Sequence, residues 1–265
     1  MRFLTGAPAL LLLAGWLITG RLVPGQSPKL PAQATAAQTG SVPSHPPSSK
    51  EKLTYAVEWR LIRAGTVTVE KEPHHASMRL ESAGIVSTLF RIEDLYTVNY
   101  EDSVCATSSL MESMERERHH ETQVTYDRSR NHAAFIERDL NTNMVVKQTG
   151  TDIPNCVADV LGAFTKIRAM NVGVGQTAQV AVSDGRKSAQ VKVTGLEREG
   201  IKTPAGMFQT VRYSADLMNG VVYPRKGEVF VWLTDDPRRL PVQIRVRTNW
   251  PISTVTLDLE KEEHP

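Results

Sequence analysis

Several groups of side chains in this chain have types and spacings that could do chemistry. Asp235 and Asp236 are adjacent carboxylates, a pair that can share acid and base roles. Arg238 and Arg239 follow at once, and cations that near favour ionised, paired carboxylates rather than a raised pKa. With Pro237 between them, the stretch reads as turn chemistry ahead of catalysis. His119, His120 and Glu121 offer imidazole and carboxylate ligands, as do His74 and His75. Neighbouring residues on a strand point to opposite faces, so either His pair could chelate one ion only from a loop or bulge. The expectation is no metal and no cofactor, with Met111–Glu121 a solvated strand or loop face. There is no Gly-x-Ser-x-Gly, His-Glu-x-x-His, phosphate-binding loop or Rossmann glycine pattern. Triads need not be local in sequence, so a hydrolase remains the remote alternative to a chain without catalytic residues. Four aromatic residues on alternating stretches, Tyr55, Trp59, Phe230 and Trp232, are candidates for lining an apolar ligand pocket, against the plainer reading that they fill the core.

The elements that would position these groups are strands. Val229, Val231 and Leu233 alternate with Phe230 and Trp232, and Val242, Ile244 and Val246 alternate with Gln243, Arg245 and Arg247. Together they make a hairpin turned at 234–239, with Pro241 opening its second strand. Tyr55, Val57 and Trp59 alternate before a break at Ala64-Gly65, after which Val67 and Val69 return. Tyr96, Val98 and Tyr100 mark a strand of about 92–101. The stretch 84–90 reads as a short helix or turn. The spacing of Ile153, Val157, Val160, Leu161, Phe164 and Ile167 predicts a helix over about 154–170, capped by Asp152 or Asn155, with Pro154 in its first turn. The fold expected is mainly β, a curved antiparallel sheet or partly closed barrel of about eleven strands with that one packed helix.

Residues 1–34 read as a signal peptide or signal anchor, with Arg2, an apolar run from Ala7 to Ile18 and a small-residue site at Ala32-Gln33-Ala34. Residues 22–50 are a Pro/Ser/Ala-rich linker, and 51–265 a single β-rich domain. The chain holds 31 basic and 29 acidic side chains, and Arg2, Arg21 and Lys29 lie in the leader, so the body is close to neutral and gives no electrostatic case for nucleic-acid binding. Any membrane contact expected here runs through an uncleaved N-terminal segment. The location expected is periplasmic or exported, with anchoring to the inner membrane where the N-terminal segment stays uncleaved. Cys105 and Cys156 suit an oxidising compartment. Paired, they would close a loop of about 50 residues, worth roughly 4 kcal/mol. The alternative is two free buried thiols.

Residues 51–260 resemble the exported bacterial family called domain of unknown function 3108. The resemblance rests on Tyr55-x-Val57-x-Trp59 with Ala64-Gly65, on Val182-Ser183-Asp184-Gly185-Arg186, on Thr203-Pro204-Ala205-Gly206-x-Phe208, and on Val231-Trp232-Leu233-Thr234-Asp235-Asp236-x-x-Arg239-x-Pro241-Val242. It implies a β-rich envelope protein with no assigned activity, similar in architecture to lipoprotein carriers of LolA and LolB type. Two functions are expected from this: an envelope protein holding a lipid or other apolar ligand in the concave face of a β half-barrel, or a structural module binding another envelope protein or the cell wall.

Overall fold

The structure is a computed structural model that describes residues 50–101, 104–216, 227–248 and 253–264. The expected signal or anchor at 1–34 and nearly all of the linker at 22–50 lie outside the described residues.

Among the described residues the alternating stretches form fourteen strands: β1 (Glu51–Trp59), β2 (Ile62–Lys71), β3 (His75–Ser82), β4 (Ile92–Glu101), β5 (Cys105–Glu115), β6 (Arg118–Asp127), β7 (His132–Asp139), β8 (Met144–Asp152), β9 (Thr177–Ser183), β10 (Ser188–Thr203), β11 (Gly206–Ala215), β12 (Gly227–Thr234), β13 (Pro241–Thr248) and β14 (Ser253–Glu263). Two helices join them, α1 (Gly84–Leu89) and α2 (Val160–Ala169). The strands make one antiparallel sheet in the order β8-β7-β6-β5-β4-β3-β2-β1-β14-β13-β12-β11-β10-β9. The chain therefore meanders outward in both directions from the pairing of its first and last strands.

The expected class holds, with three strands more than expected. The discrepancy centres on β5 and the first half of β6, where Ser109, Ser113, Glu115 and His120 occupy the face that elsewhere carries Val and Leu, so hydrophobic alternation fails. Helix α2 also corrects the expectation of 154–170, because it starts at Val160 and its N-cap is Asp159, not Asp152 or Asn155. Ahead of it, 153–159 runs as a non-helical strap with a bend at Asn155–Cys156. The Ile153 amide donates to the Asn131 carbonyl, the Ala106 amide to Val157, and the Ala158 amide to Ala181. Parallel bridges Ala158–Val182 and Val174–Gly195 carry the segments flanking α2 along the β9–β10 edge. At Gly195 a Cβ would stand 2.4 Å from the Gly173 carbonyl oxygen, so this close approach requires glycine.

The strap and α2 join the two halves of the sheet across its concave side. Ala163 and Ile167 pack with Val180, Val193, Tyr213 and Val231, while Val157 and Leu161 pack with Val98, Tyr126 and Phe135. A disulfide links Cys105 on β5 to Cys156 in the strap. The β9–β10 turn closes the same gap, with Tyr126 Oη donating to the Ser183 carbonyl at 3.2 Å and the Arg186 guanidinium 5.3 Å from the Phe135 ring. At the other limit of the sheet, β8 is exposed along nearly its whole length. Among the described residues no helix is long and apolar enough to cross a membrane.

Candidate functional site

Cross-strand register shows what the inner face presents. One row runs Tyr55, Val67, Leu80, Asp94, Ser113, His120 across β1 to β6. The next runs Leu53, Val69, Met78, Tyr96, Met111, Thr122 and on to Glu137 in β7. The first row is apolar through β3 and polar beyond it, whereas the second stays apolar to Met111 and turns polar only at Thr122 and Glu137. The polar part of this face thus takes in β5 and the first half of β6, which sequence alternation recognised least well, together with Asp94 of β4 and Glu137 of β7.

Asp94 is 5% exposed, and neither of its carboxylate oxygens makes a well-formed hydrogen bond, although the Ser113 hydroxyl and the Met114 amide approach it. Burial pushes its carboxyl up to about 7, a trend opposed by the Ser113 hydroxyl and reinforced by the charge of Glu115. Glu115 is itself raised by burial. Glu137, 2% exposed, meets His120 Nδ1 at 3.2 Å through one oxygen and leaves the other without a partner. Trp59 Nε1 is buried and unpartnered on the same face. Buried polar atoms in native proteins are nearly always bonded. Five of the six described side-chain atoms that break this rule lie along this inner face between β1 and β7: two on Asp94 and one each on Glu115, Glu137 and Trp59. Around them Val69, Met78 and Met111 are only partly buried, so this stretch of the face is not packed over as the α2 side is.

A second polar knot lies deeper. Asp159 is 1% exposed and accepts from Tyr100 Oη at 2.8 Å, Tyr96 Oη at 2.9 Å, Gly162 N at 2.9 Å and Leu161 N at 3.0 Å. Burial raises its pKa, and these four donors pull the other way. Its bonding is complete, so its role is to pin the strap and the start of α2 to β4.

The residues singled out from sequence fall as follows. Tyr55 is core, its hydroxyl donating to the Pro241 carbonyl at 2.8 Å, and burial raises its pKa. Trp59 sits on the same inner face, with the Arg60 guanidinium 5.1 Å from its ring. Register through Leu257, Ile244 and Val231 places Phe230 and Trp232 on the opposite, outer face. Trp232 is buried there, donating from Nε1 to Glu199 at 2.8 Å beneath Arg245. The four aromatics therefore do not share one pocket. His119 and His120 also diverge, His119 pairing with Glu112 on the outside at 2.7 Å. Among the described residues no three metal-ligating side chains gather. Asp236 accepts from Thr234 Oγ1 and the Arg238 amide, and Asp235 pairs with Arg198, so both are occupied in holding the turn. Arg239 is drawn inward, donating to the Arg168 carbonyl at the end of α2. Sequence reading missed Asp94, Ser113 and Glu137. The available signal was a carboxylate on the apolar parity of a strand, Ile92-x-Asp94-x-Tyr96-x-Val98.

A family model described as a protein of unknown function, DUF3108, matches residues 54–260. The chain belongs to this family. The DUF3108 match begins in β1 and ends in β14, so it takes in the whole meander, including the inner polar patch and the strap. No curated protein matches the chain. Among solved structures, a β-barrel-like protein of domain of unknown function 1849 from Brucella abortus superposes with a TM-score of 0.51, covering 82% of this chain and 98% of that one at 8% identity. A DUF1089 family protein from Pseudomonas aeruginosa gives a TM-score of 0.40, 69% and 90% coverage and 14% identity. A Bacteroides fragilis protein, provisionally named as exported and with a YmcC-like fold, gives 0.32, 80% and 95% coverage and 13% identity. The first of these supports the fold, and none assigns an activity.

Proposed function

We propose that this DUF3108 protein is a non-catalytic exported envelope protein that holds an amphiphilic, lipid-like ligand on the inner face of its open sheet. One observation carries the reading: the register rows pass from Tyr55–Val67–Leu80 to Asp94–Ser113–His120 without leaving that face. Such a surface suits a molecule with an apolar body and a head that donates hydrogen bonds, because the unpartnered oxygens of Asp94, Glu115 and Glu137 are acceptors in want of donors. Export is supported by the N-terminal apolar run and by the disulfide. Native mass spectrometry of the protein purified from a bacterial periplasm, followed by lipid extraction, tests it. A stoichiometric adduct that extracts as lipid is expected, and a clean apo mass overturns the reading.

Ser113, His120 and Glu137 stand in the order of an acyl-transfer triad, but the surroundings disfavour that chemistry. Strand β5 pairs on both sides, so its amides are committed to the sheet and do not supply an oxyanion site beside Ser113. A fluorophosphonate probe is expected to leave the protein unlabelled. Labelling that Ser113→Ala abolishes would make the protein a serine hydrolase instead.

A further inference from the structure

The end of the sheet where β1 passes to β2 presents apolar side chains that contribute nothing to the core. Arg60 and Leu61 form the two-residue turn, both in the left-handed region, with φ of 51° and 65°. Turns of this kind favour Asn and Gly, since a Cβ is disfavoured at positive φ. Here the second position holds a leucine that is 94% exposed, followed by Ile62 at 51%. Helix α1 lies alongside, its start tied to β2 by the Ala83 amide donating to the Ala64 carbonyl. It buries Val86 and turns Ile85 outward, 66% exposed, with Phe90 just beyond it at 44%. The β5–β6 turn completes the surface, with the Arg116 amide bonded to the Arg91 carbonyl and its guanidinium 4.4 Å from the Phe90 ring.

The charge at this end is one-sided. Segments 60–63, 84–91 and 116–118 contain Arg60, Arg63, Arg91, Arg116 and Arg118 against a single acid, Glu117. Arg63 and Arg91 pair with Glu260 and Glu93 just behind the tip. Exposed aliphatic and aromatic side chains ringed by arginines match a membrane surface, where apolar tips enter the acyl boundary and cations meet lipid phosphates. We propose that this tip docks the protein on a phospholipid bilayer bearing anionic headgroups, with Leu61, Ile62, Ile85 and Phe90 inserting. The inference does not depend on the inner face binding an amphiphile.

The test uses the full chain carrying Leu61→Cys. Both natural cysteines are committed to the disulfide, so this thiol takes an environment-sensitive nitrobenzoxadiazole label alone. On vesicles containing phosphatidylglycerol, a blue-shifted emission with a gain of roughly threefold or more is expected, much weaker on pure phosphatidylcholine and suppressed by salt. Adding Ile62→Asp and Ile85→Asp to the labelled protein is expected to abolish the gain. The same label at Met207→Cys, an exposed site at the start of β11 at the opposite end of the sheet, is expected to report water throughout. Because the signal is read at residue 61, attachment through the N-terminal apolar run does not imitate it. A label at 61 that stays aqueous on vesicles of both compositions overturns the proposal, and so does an equal response from residue 207.

Discussion

A carboxyl group on the apolar face of a central strand must find a donor or keep its proton. The Ser113 hydroxyl and the Met114 amide do not offset the burial of Asp94, whose carboxyl is pushed up to about 7, well above the unfolded value of about 3.9. Between those values the folded chain binds more protons than the unfolded one. Stability therefore falls as pH rises from about 4 to about 7 and levels off above, by about 4 kcal/mol in all from this group. Glu115 acts in the same direction. Asp94→Asn keeps the shape and removes the titration. Relative to wild type, the variant is expected to gain about 2 kcal/mol or more between pH 4.5 and pH 8, read from urea midpoints at each pH. An equal difference at the two pH values would sink this account. The residue was legible as part of a strand at about 92–101. Its significance was not, because its neighbours Ser113 and His120 are 19 and 26 positions away along the chain.

At the scale of elements, the strap before α2 shows how tertiary partners override local periodicity. Val157 and Ile153 fit a helical stripe, yet 153–159 is not helical because β5, β9 and Asn131 offer its backbone better partners than a first helical turn could. Asp159 then begins the helix, satisfying two of its free amides while accepting from two tyrosines. The Cys105–Cys156 bridge holds the strap against β5 across a sequence separation of 51. Replacing both cysteines by serine is expected to lower stability by about 4 kcal/mol, seen as a reduced urea midpoint under non-reducing conditions. An unchanged midpoint would mean that Asp159 and the backbone bonds hold the strap unaided.

At the scale of the whole molecule, alternation by itself determined that the chain is a meander of antiparallel strands with α2 against it, since period-2 patterning is set by each strand's own residues wherever one face is buried. The turn chemistry of 234–239 was equally legible, because Asp side chains cap amides two or three residues away. Only the tertiary structure decided which residues meet. Whether Trp59 and Trp232 share a face depends on register carried through β14 and β13, and it places them on opposite sides. The change from apolar to polar along one row likewise exists only once β3, β4, β5 and β6 are aligned. A strand's pattern states that it has two faces, but contacts between distant segments decide which face turns inward and what stands beside it there.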